Sequence, residues 1–229
     1  MKTLGLIGGM SWESTASYYK IINEAVKERL GGLHSAKILL YSVDFSEIER
    51  CQSSGEWDKC GVLLGSAAAR LQQAGADCIV ICTNTMHKVV PQIQAQIEIP
   101  VLHIADAAAD ALLKKNITRA ALLGTKYTMT QDFYKNRLAE NGLQVIVPEP
   151  ADMEMVNDVI YNELCRGEVK EESRRKFAAV IDRLRLAGAQ GVILGCTEIG
   201  LLVGAKDSSL PVFDTTVLHG IRAAEFAME

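Results

Sequence analysis

The chain lacks several features that would narrow its function at once. No run of like charges occurs in its 229 residues and the net charge is −4, so neither nucleic acid nor a membrane surface is indicated as a partner. No apolar segment is long enough to span a bilayer. The opening run around Leu4, Leu6 and Ile7 is too short for a signal peptide and reads as a first strand. No CxxC pair occurs among Cys51, Cys60, Cys78, Cys82, Cys165 and Cys196. His34, His87, His103 and His219 are scattered without paired spacing, which argues against a zinc site. With no secretory signal, reduced thiols and a cytoplasmic location are expected, most of the cysteines serving as small buried hydrophobes. A dinucleotide loop is missing too. Gly5, Gly8 and Gly9 are spaced GxxGG rather than GxGxxG, and no acidic residue ends the second strand about 20 residues on. Those glycines still allow backbone N–H groups to approach a small anion at a helix start.

What is present is an ordinary globular composition, 48% hydrophobic and 23% charged, in which short apolar runs alternate with helical periodicity. Strands are expected at 3–7, 36–43, 77–85, 100–104, 119–123, 143–148, 191–194 and 210–214. Helices are expected at 12–30, 57–74, 87–96, 105–115, 130–140, 152–166, 171–187 and 215–228, the first capped by Ser11 and stopped by Gly31–Gly32. This alternation predicts an α/β protein with parallel sheets covered by helices.

Three segment pairs repeat in the same order at nearly constant offset. Leu6–Ile7–Gly8 lies over Leu122–Leu123–Gly124, the run from Ala74 to Asn84 over that from Ala187 to Thr197, and Ile99–Pro100–Val101–Leu102 over Leu210–Pro211–Val212–Phe213. Two similar Rossmann-like lobes follow, residues 1–103 plus 215–229 and residues 104–214, expected to be related by a pseudo-two-fold with the active site in the cleft between them. The register sets Thr83, not Cys82, opposite Cys196, and Cys82 one pleat away toward the other strand face.

Ligands in open α/β sheets collect at the carboxyl ends of strands. Cys196 stands at such an end, after Gly195 and before Thr197 and Glu198. An adjacent helix N-terminus there is expected to favour thiolate. Thr83, Asn84 and Thr85 form a hydrogen-bonding edge at the matching strand end. Thr125 and Thr128 suit either a carboxylate site or a plain helix cap. Gln52 is a weaker candidate of the same kind, and His87 reads as a helix-surface residue.

Leu4–Gly5–Leu6–Ile7–Gly8–Gly9–Met10–Ser11, Thr83–Asn84–Thr85–Met86–His87 and Gly195–Cys196–Thr197–Glu198 together resemble the aspartate/glutamate racemase superfamily over essentially the whole chain. The likeness is greatest to the bacterial L-aspartate/glutamate-specific and broad-specificity amino-acid racemases. It implies a cytoplasmic, cofactor-independent isomerase needing neither pyridoxal phosphate nor metal. In that family two cysteines flank the substrate Cα, one thiolate removing the α-proton and the other thiol returning a proton from the opposite face. The family's first motif, Cys-Asn-Thr, is here Thr83–Asn84–Thr85, so the resemblance implies a lopsided site. Cys196 would act as base toward the L-enantiomer and Thr83 would stand where the second cysteine belongs. Met10, Ser11, Gln52, Asn84, Thr85 and Thr197 match positions that line the pocket, and Thr125 and Thr128 match a polar strand end. Relatives often carry a lysine on the helix holding Tyr161, where this chain has Cys165 and Arg166. A small amino-acid substrate is the expected partner, and a homodimer is an open expectation. Hydantoin racemase, maleate isomerase and decarboxylase activities, an amino-acid-binding protein without catalysis, and thiol-based redox sensing remain alternatives.

Overall fold

The computed structural model describes residues 1–229. In chain order it contains β1 (Thr3–Gly8), α1 (Trp12–Leu30), β2 (Lys37–Ser42), α2 (Phe45–Ser53), α3 (Trp57–Gln73), β3 (Cys78–Ile81), α4 (Val90–Gln94) and β4 (Val101–Leu102). There follow α5 (Ile104–Leu113), β5 (Arg119–Gly124), α6 (Lys126–Thr130), α7 (Asp132–Glu140), β6 (Gln144–Ile146) and α8 (Pro150–Asn162). Last come α9 (Glu171–Leu186), β7 (Gly191–Gly195), α10 (Ile199–Leu202), β8 (Val212–Asp214) and α11 (Thr215–Met228). Two 3₁₀ turns, Thr85–Val89 and Leu164–Arg166, complete it. No helix is long and apolar enough to cross a membrane.

The chain divides into two compact units, Met1–Ile104 with His219–Glu229, and Ala105–Leu218, the two boundaries falling at the start of α5 and inside α11. Each holds a four-stranded, all-parallel sheet, ordered β2-β1-β3-β4 in the first unit and β6-β5-β7-β8 in the second. The expected α/β class with two similar units is therefore observed. The ladders also reproduce the repeat. Ile7 pairs with Ile81 as Leu123 pairs with Leu194, and Ile79 pairs with Val101 as Val192 pairs with Val212. Residue 83 is thus the structural counterpart of residue 196, because a one-residue slip would move every side chain to the other face.

In the first unit the sheet is covered on both sides. Ile7, Ile79 and Ile81 pack against Cys60, Leu64 and Ala68 of α3. Leu4, Leu6, Cys78, Val80 and Cys82 pack against Tyr18 and Ile22 of α1 and Ala223 and Ala224 of α11. Alternate residues of β3 therefore enter opposite cores, as the period-two geometry requires. In the second unit Ala121, Leu123, Val192 and Leu194 pack on Val156 of α8 and Phe177 and Ile181 of α9. Full burial of side chains of this size contributes about 1.5–3 kcal/mol each.

α1 shows how local sequence positions the strand ends. Ser11 caps it by accepting from the Ser14 amide at 3.2 Å, and Ser14, Thr15, Tyr18, Ile22 and Val26 form its buried stripe. Gly31, at φ 70°, ends it with its amide donating to the Lys27 carbonyl at 2.8 Å. A Cβ on Gly8 would lie 2.3 Å from the Thr15 Cγ2 atom, so glycine is what lets α1 seat directly on the end of β1. The Gly9 amide donates to Thr15 Oγ1 at 2.9 Å. The paired glycines thus serve helix–strand packing, and the Gly9 N–H expected to face an anion already has a partner.

Candidate active site

In the first unit, three candidate stretches meet at the carboxyl edge of the sheet. The loop after β1 supplies Met10, which is buried, and Ser11, half-buried, joined by a cis peptide. The loop after β3 supplies Thr83, half-buried, with Asn84 and Thr85 buried beside it. Ser14 Oγ ties the two loops together by donating to the Cys82 carbonyl at 3.1 Å. From α2, buried Gln52 points its Nε2 at the sulfur of Met86, 2.9 Å away. Met10, Ser11, Gln52, Thr83, Asn84 and Thr85 therefore share one edge.

Cys82 does not belong to that edge. Its side chain is fully buried in the α1–α11 core, and burial drives its thiol far above the ordinary range. It is a packing cysteine, on the strand face the repeat assigned to it. His87, read from sequence as a helix-surface residue, is instead 2% exposed. A lone histidine in a short polar stretch gives no periodicity from which burial could be inferred. Its Nδ1 lies 2.8 Å from the Thr83 carbonyl, and the Ile104 amide donates to its Nε2 at 3.2 Å.

In the second unit, Thr125 and Thr128 sit at the end of β5. Thr125 caps α6, accepting from the Thr128 amide at 3.4 Å, and the two hydroxyls are 3.3 Å apart. Both are buried, and the Thr128 methyl packs over the strand ends, 3.2 Å from where a Cβ on Gly195 would stand. The helix-cap reading accounts for their present partners.

At the neighbouring end of β7, Cys196 is 8% exposed, on the same strand face as Val192 and Leu194. Its thiol donates to Glu198 Oε2 at 3.0 Å, and the half-buried Thr197 hydroxyl donates to the same oxygen at 2.6 Å. Burial, then the charge of Glu198 and the hydrogen bond to it, raise the Cys196 thiol well above its ordinary value. This corrects the expectation of a resting thiolate. The following helix, α10, has four residues and begins only at Ile199, after Glu198, whose carboxylate makes no cap hydrogen bond and faces the thiol instead, so desolvation and a neighbouring negative charge dominate. Glu198 was absent from the expected site residues, since a carboxylate two positions past a cysteine gives no sign that it turns back toward the sulfur.

Behind this loop, Leu164 shares a cluster with Cys196, Ile199 and Leu202, and the adjacent Cys165 is exposed and close enough to raise the Cys196 thiol slightly. Arg174 of α9 holds the far end of the loop, donating to the Leu202 carbonyl at 2.5 Å and to Asp207 at 3.2 Å. No group of three or more His, Cys, Asp or Glu side chains is arranged to hold a metal ion.

The end of β7 thus carries a thiol hydrogen-bonded to a carboxylate, and the matching end of β3 in the other unit carries a hydroxyl-rich edge. The family model for the Asp/Glu/hydantoin racemases matches residues 7–223. The chain belongs to this family. A Yersinia pestis structure provisionally assigned as an Asp/Glu racemase is 55% identical, with both chains covered in full and a TM-score of 0.95. An aspartate racemase homologue from Pyrococcus horikoshii is 36% identical, again over 100% of both chains, with a TM-score of 0.88. The broad-specificity amino-acid racemase RacX of Bacillus subtilis is 20% identical over 93% of this chain and 92% of its own. This racemase-family chain is accordingly an isomerase, of a family that acts on small amino-acid substrates.

Proposed function

We propose that the protein is a cofactor-independent racemase of aspartate- or glutamate-type amino acids. Cys196 removes the α-proton of the L-enantiomer, and Thr83 serves the opposite face in place of a second thiol. The observation that carries this reading is the 3.0 Å hydrogen bond from Cys196 to Glu198 at the carboxyl end of β7. A neutral thiol cannot take a carbon-bound proton, so its own proton must first have somewhere to go. Glu198 Oε2 is positioned to receive it. A substrate ammonium group beside the sulfur favours the same ionisation by opposite charge.

The thiolate then takes the α-proton. The C–H bond breaks, and its electron pair passes into the substrate carboxylate. Return of a proton from the Cys196 side restores the L-enantiomer, and delivery from the Thr83 side gives the D-enantiomer. A thiol ionises near pH 8.5 in its ordinary state, whereas a threonine hydroxyl is far less acidic, so Thr83 is a poor base and a better donor or relay. Ser11, Gln52, Asn84, Thr85 and Thr197 supply the polar groups proposed to orient the substrate, with Met10, Thr125 and Thr128 as further lining.

The test is an incubation of the protein in deuterated water with each enantiomer of aspartate and glutamate, following Cα exchange. Faster initial exchange from L than from D is expected, and Cys196→Ala abolishes it. Equal initial rates from both enantiomers would remove the asymmetry. Turnover of hydantoins or maleate without amino-acid exchange would move the protein to a sister activity, and binding of L-aspartate with no exchange would make it a binding protein.

A further inference from the structure

Three of the four histidines, with one tyrosine, are gathered behind the β3 edge. The His87 ring lies 4.7 Å from that of His103 and 5.6 Å from that of His219, and the Tyr18 ring is 5.5 Å from His219. The hydrogen bonds define the proton positions. The Ile104 amide can only donate, so His87 Nε2 is an unprotonated acceptor and the ring proton sits on Nδ1, which donates to the Thr83 carbonyl. Burial, reinforced by the charge that His103 would carry, lowers the pKa of His87 well below its ordinary value, which keeps this neutral tautomer in place. The ring is thus a strut between the end of β3, at Thr83, and the start of α5, at Ile104. On the other side of Thr83, the Cys82 carbonyl is held by Ser14 Oγ and the Cys82 amide by the Ile7 carbonyl at 2.9 Å. The Thr83 amide closes a tight turn onto the Ile81 carbonyl at 2.9 Å. Both carbonyls flanking the Thr83 side chain are therefore fixed, one by a serine of α1 and one by His87.

We propose that His87 is a positioning residue for proton delivery on the Thr83 face: by fixing the Thr83 carbonyl against the start of α5, it sets where the Thr83 hydroxyl stands. This inference rests on the proposed role of Thr83. Because a misplacement of about 1 Å in a reacting group can cost on the order of 10²-fold in rate, loosening the strut should slow inversion while leaving the Cys196 side intact. His87 touches no reacting atom and acts only through the backbone it holds.

The experiment starts from L-aspartate in deuterated water and measures the partition of the carbanion. Deuterated L-aspartate reports return on the Cys196 side, and deuterated D-aspartate reports delivery on the Thr83 face. The ratio of inversion to retained exchange does not depend on how much protein is active, so a general loss of stability does not change it. His87→Leu is expected to lower this ratio on the order of tenfold. His87→Asn, whose amide can donate from about the position of Nδ1, is expected to recover most of it. An unchanged ratio in His87→Leu would overturn the inference. Thr83→Ala distinguishes the two levels: if it too leaves the ratio unchanged, the proposed role of Thr83 fails, whereas a fall there without one in His87→Leu removes only the part given to His87. Should neither His87 variant fold, nitrogen chemical shifts of the imidazoles in the unaltered protein decide. An Nδ1–H tautomer for His87 supports the strut, and an Nε2–H tautomer refutes it.

Discussion

Replacing Glu198 by glutamine separates two explanations of a slow or fast thiol, because the change moves them in opposite directions. In the native protein Glu198 Oε2 accepts from Cys196 Sγ at 3.0 Å and from Thr197 Oγ1 at 2.6 Å. The amide keeps the shape, and its carbonyl oxygen can accept both bonds. A hydrogen bond to a charged group contributes about 1.5–3 kcal/mol and one to a neutral group about 0.5–1.5 kcal/mol. The two bonds together therefore lose about 2–3 kcal/mol of stability, and this is offset by no longer burying a carboxylate that is 9% exposed. The thiol, meanwhile, loses the second-largest influence raising its pKa, so it ionises at lower pH in the variant than in the native protein. If ready ionisation limited catalysis, Glu198→Gln would be faster. If Glu198 must receive the thiol proton, exchange falls by ~10²- to 10⁴-fold, the usual contribution of a positioned general base. The assays are Cα-deuterium exchange from L-aspartate, thiolate absorbance in the ultraviolet against pH, and thermal melting. Exchange at or above the native rate, in a variant whose melting is little changed, refutes the role given to Glu198.

Thr83→Cys places a thiol at the position matched to Cys196, and exchange from D-aspartate should rise by at least about tenfold, given how much more readily a thiol near pKa 8.5 ionises than a hydroxyl. Initial exchange rates from the two enantiomers check this. Acid should weaken the first unit through His87. Its pKa in the folded protein is lowered while the unfolded value is about 6.5, so the unfolded state binds more protons below that pH. Stability from this group is intact above about pH 6.5 and falls by up to ~1.4 kcal/mol per pH unit as pH drops toward the folded value. Urea midpoints between pH 7 and 5 should show the slope, and His87→Asn should flatten it. Gly195→Ala puts a Cβ 3.0 Å from the Leu123 carbonyl oxygen and 2.9 Å from Leu122 Cδ1. Since the backbone oxygen cannot move aside, a loss of about 1–3 kcal/mol is expected, visible in denaturant unfolding.

The fold was legible because the two parallel sheets are built from apolar runs whose ends repeat. The residues that align in sequence, Ile7 with Leu123 and Ile81 with Leu194, hold matching places in the two ladders, so the match of position 83 to 196 was legible in the sequence. Short elements were not legible. α2, capped by Asp44, carries too few turns for a helical period to emerge from its polar residues, whereas the start of α6 at Thr125 showed only as a possible cap. The chemistry of the site was the least legible part. Residue type marked Cys196, but its charge state depends on burial by residues of α8 and α9 and on Glu198 turning back to the sulfur. His87 reads as a surface residue in the sequence because its partners, at Thr83 and Ile104, come from the ends of separate strands and leave no local pattern.

The distribution of the six cysteines governs how chemical labelling of this protein must be interpreted. Cys51, Cys60, Cys78, Cys82 and Cys196 are buried, while Cys165 is exposed and borders the Cys196 loop. An alkylating reagent applied to the substrate-free protein will reach Cys165 first, and a bulky adduct there can hinder the neighbouring loop without touching Cys196. Inactivation by such a reagent, or protection by substrate, therefore identifies the wrong sulfur unless Cys165→Ser is the background. Because the other five cysteines are buried, Cys165 of the unaltered protein is in turn the selective attachment point for a reporter dye beside that loop.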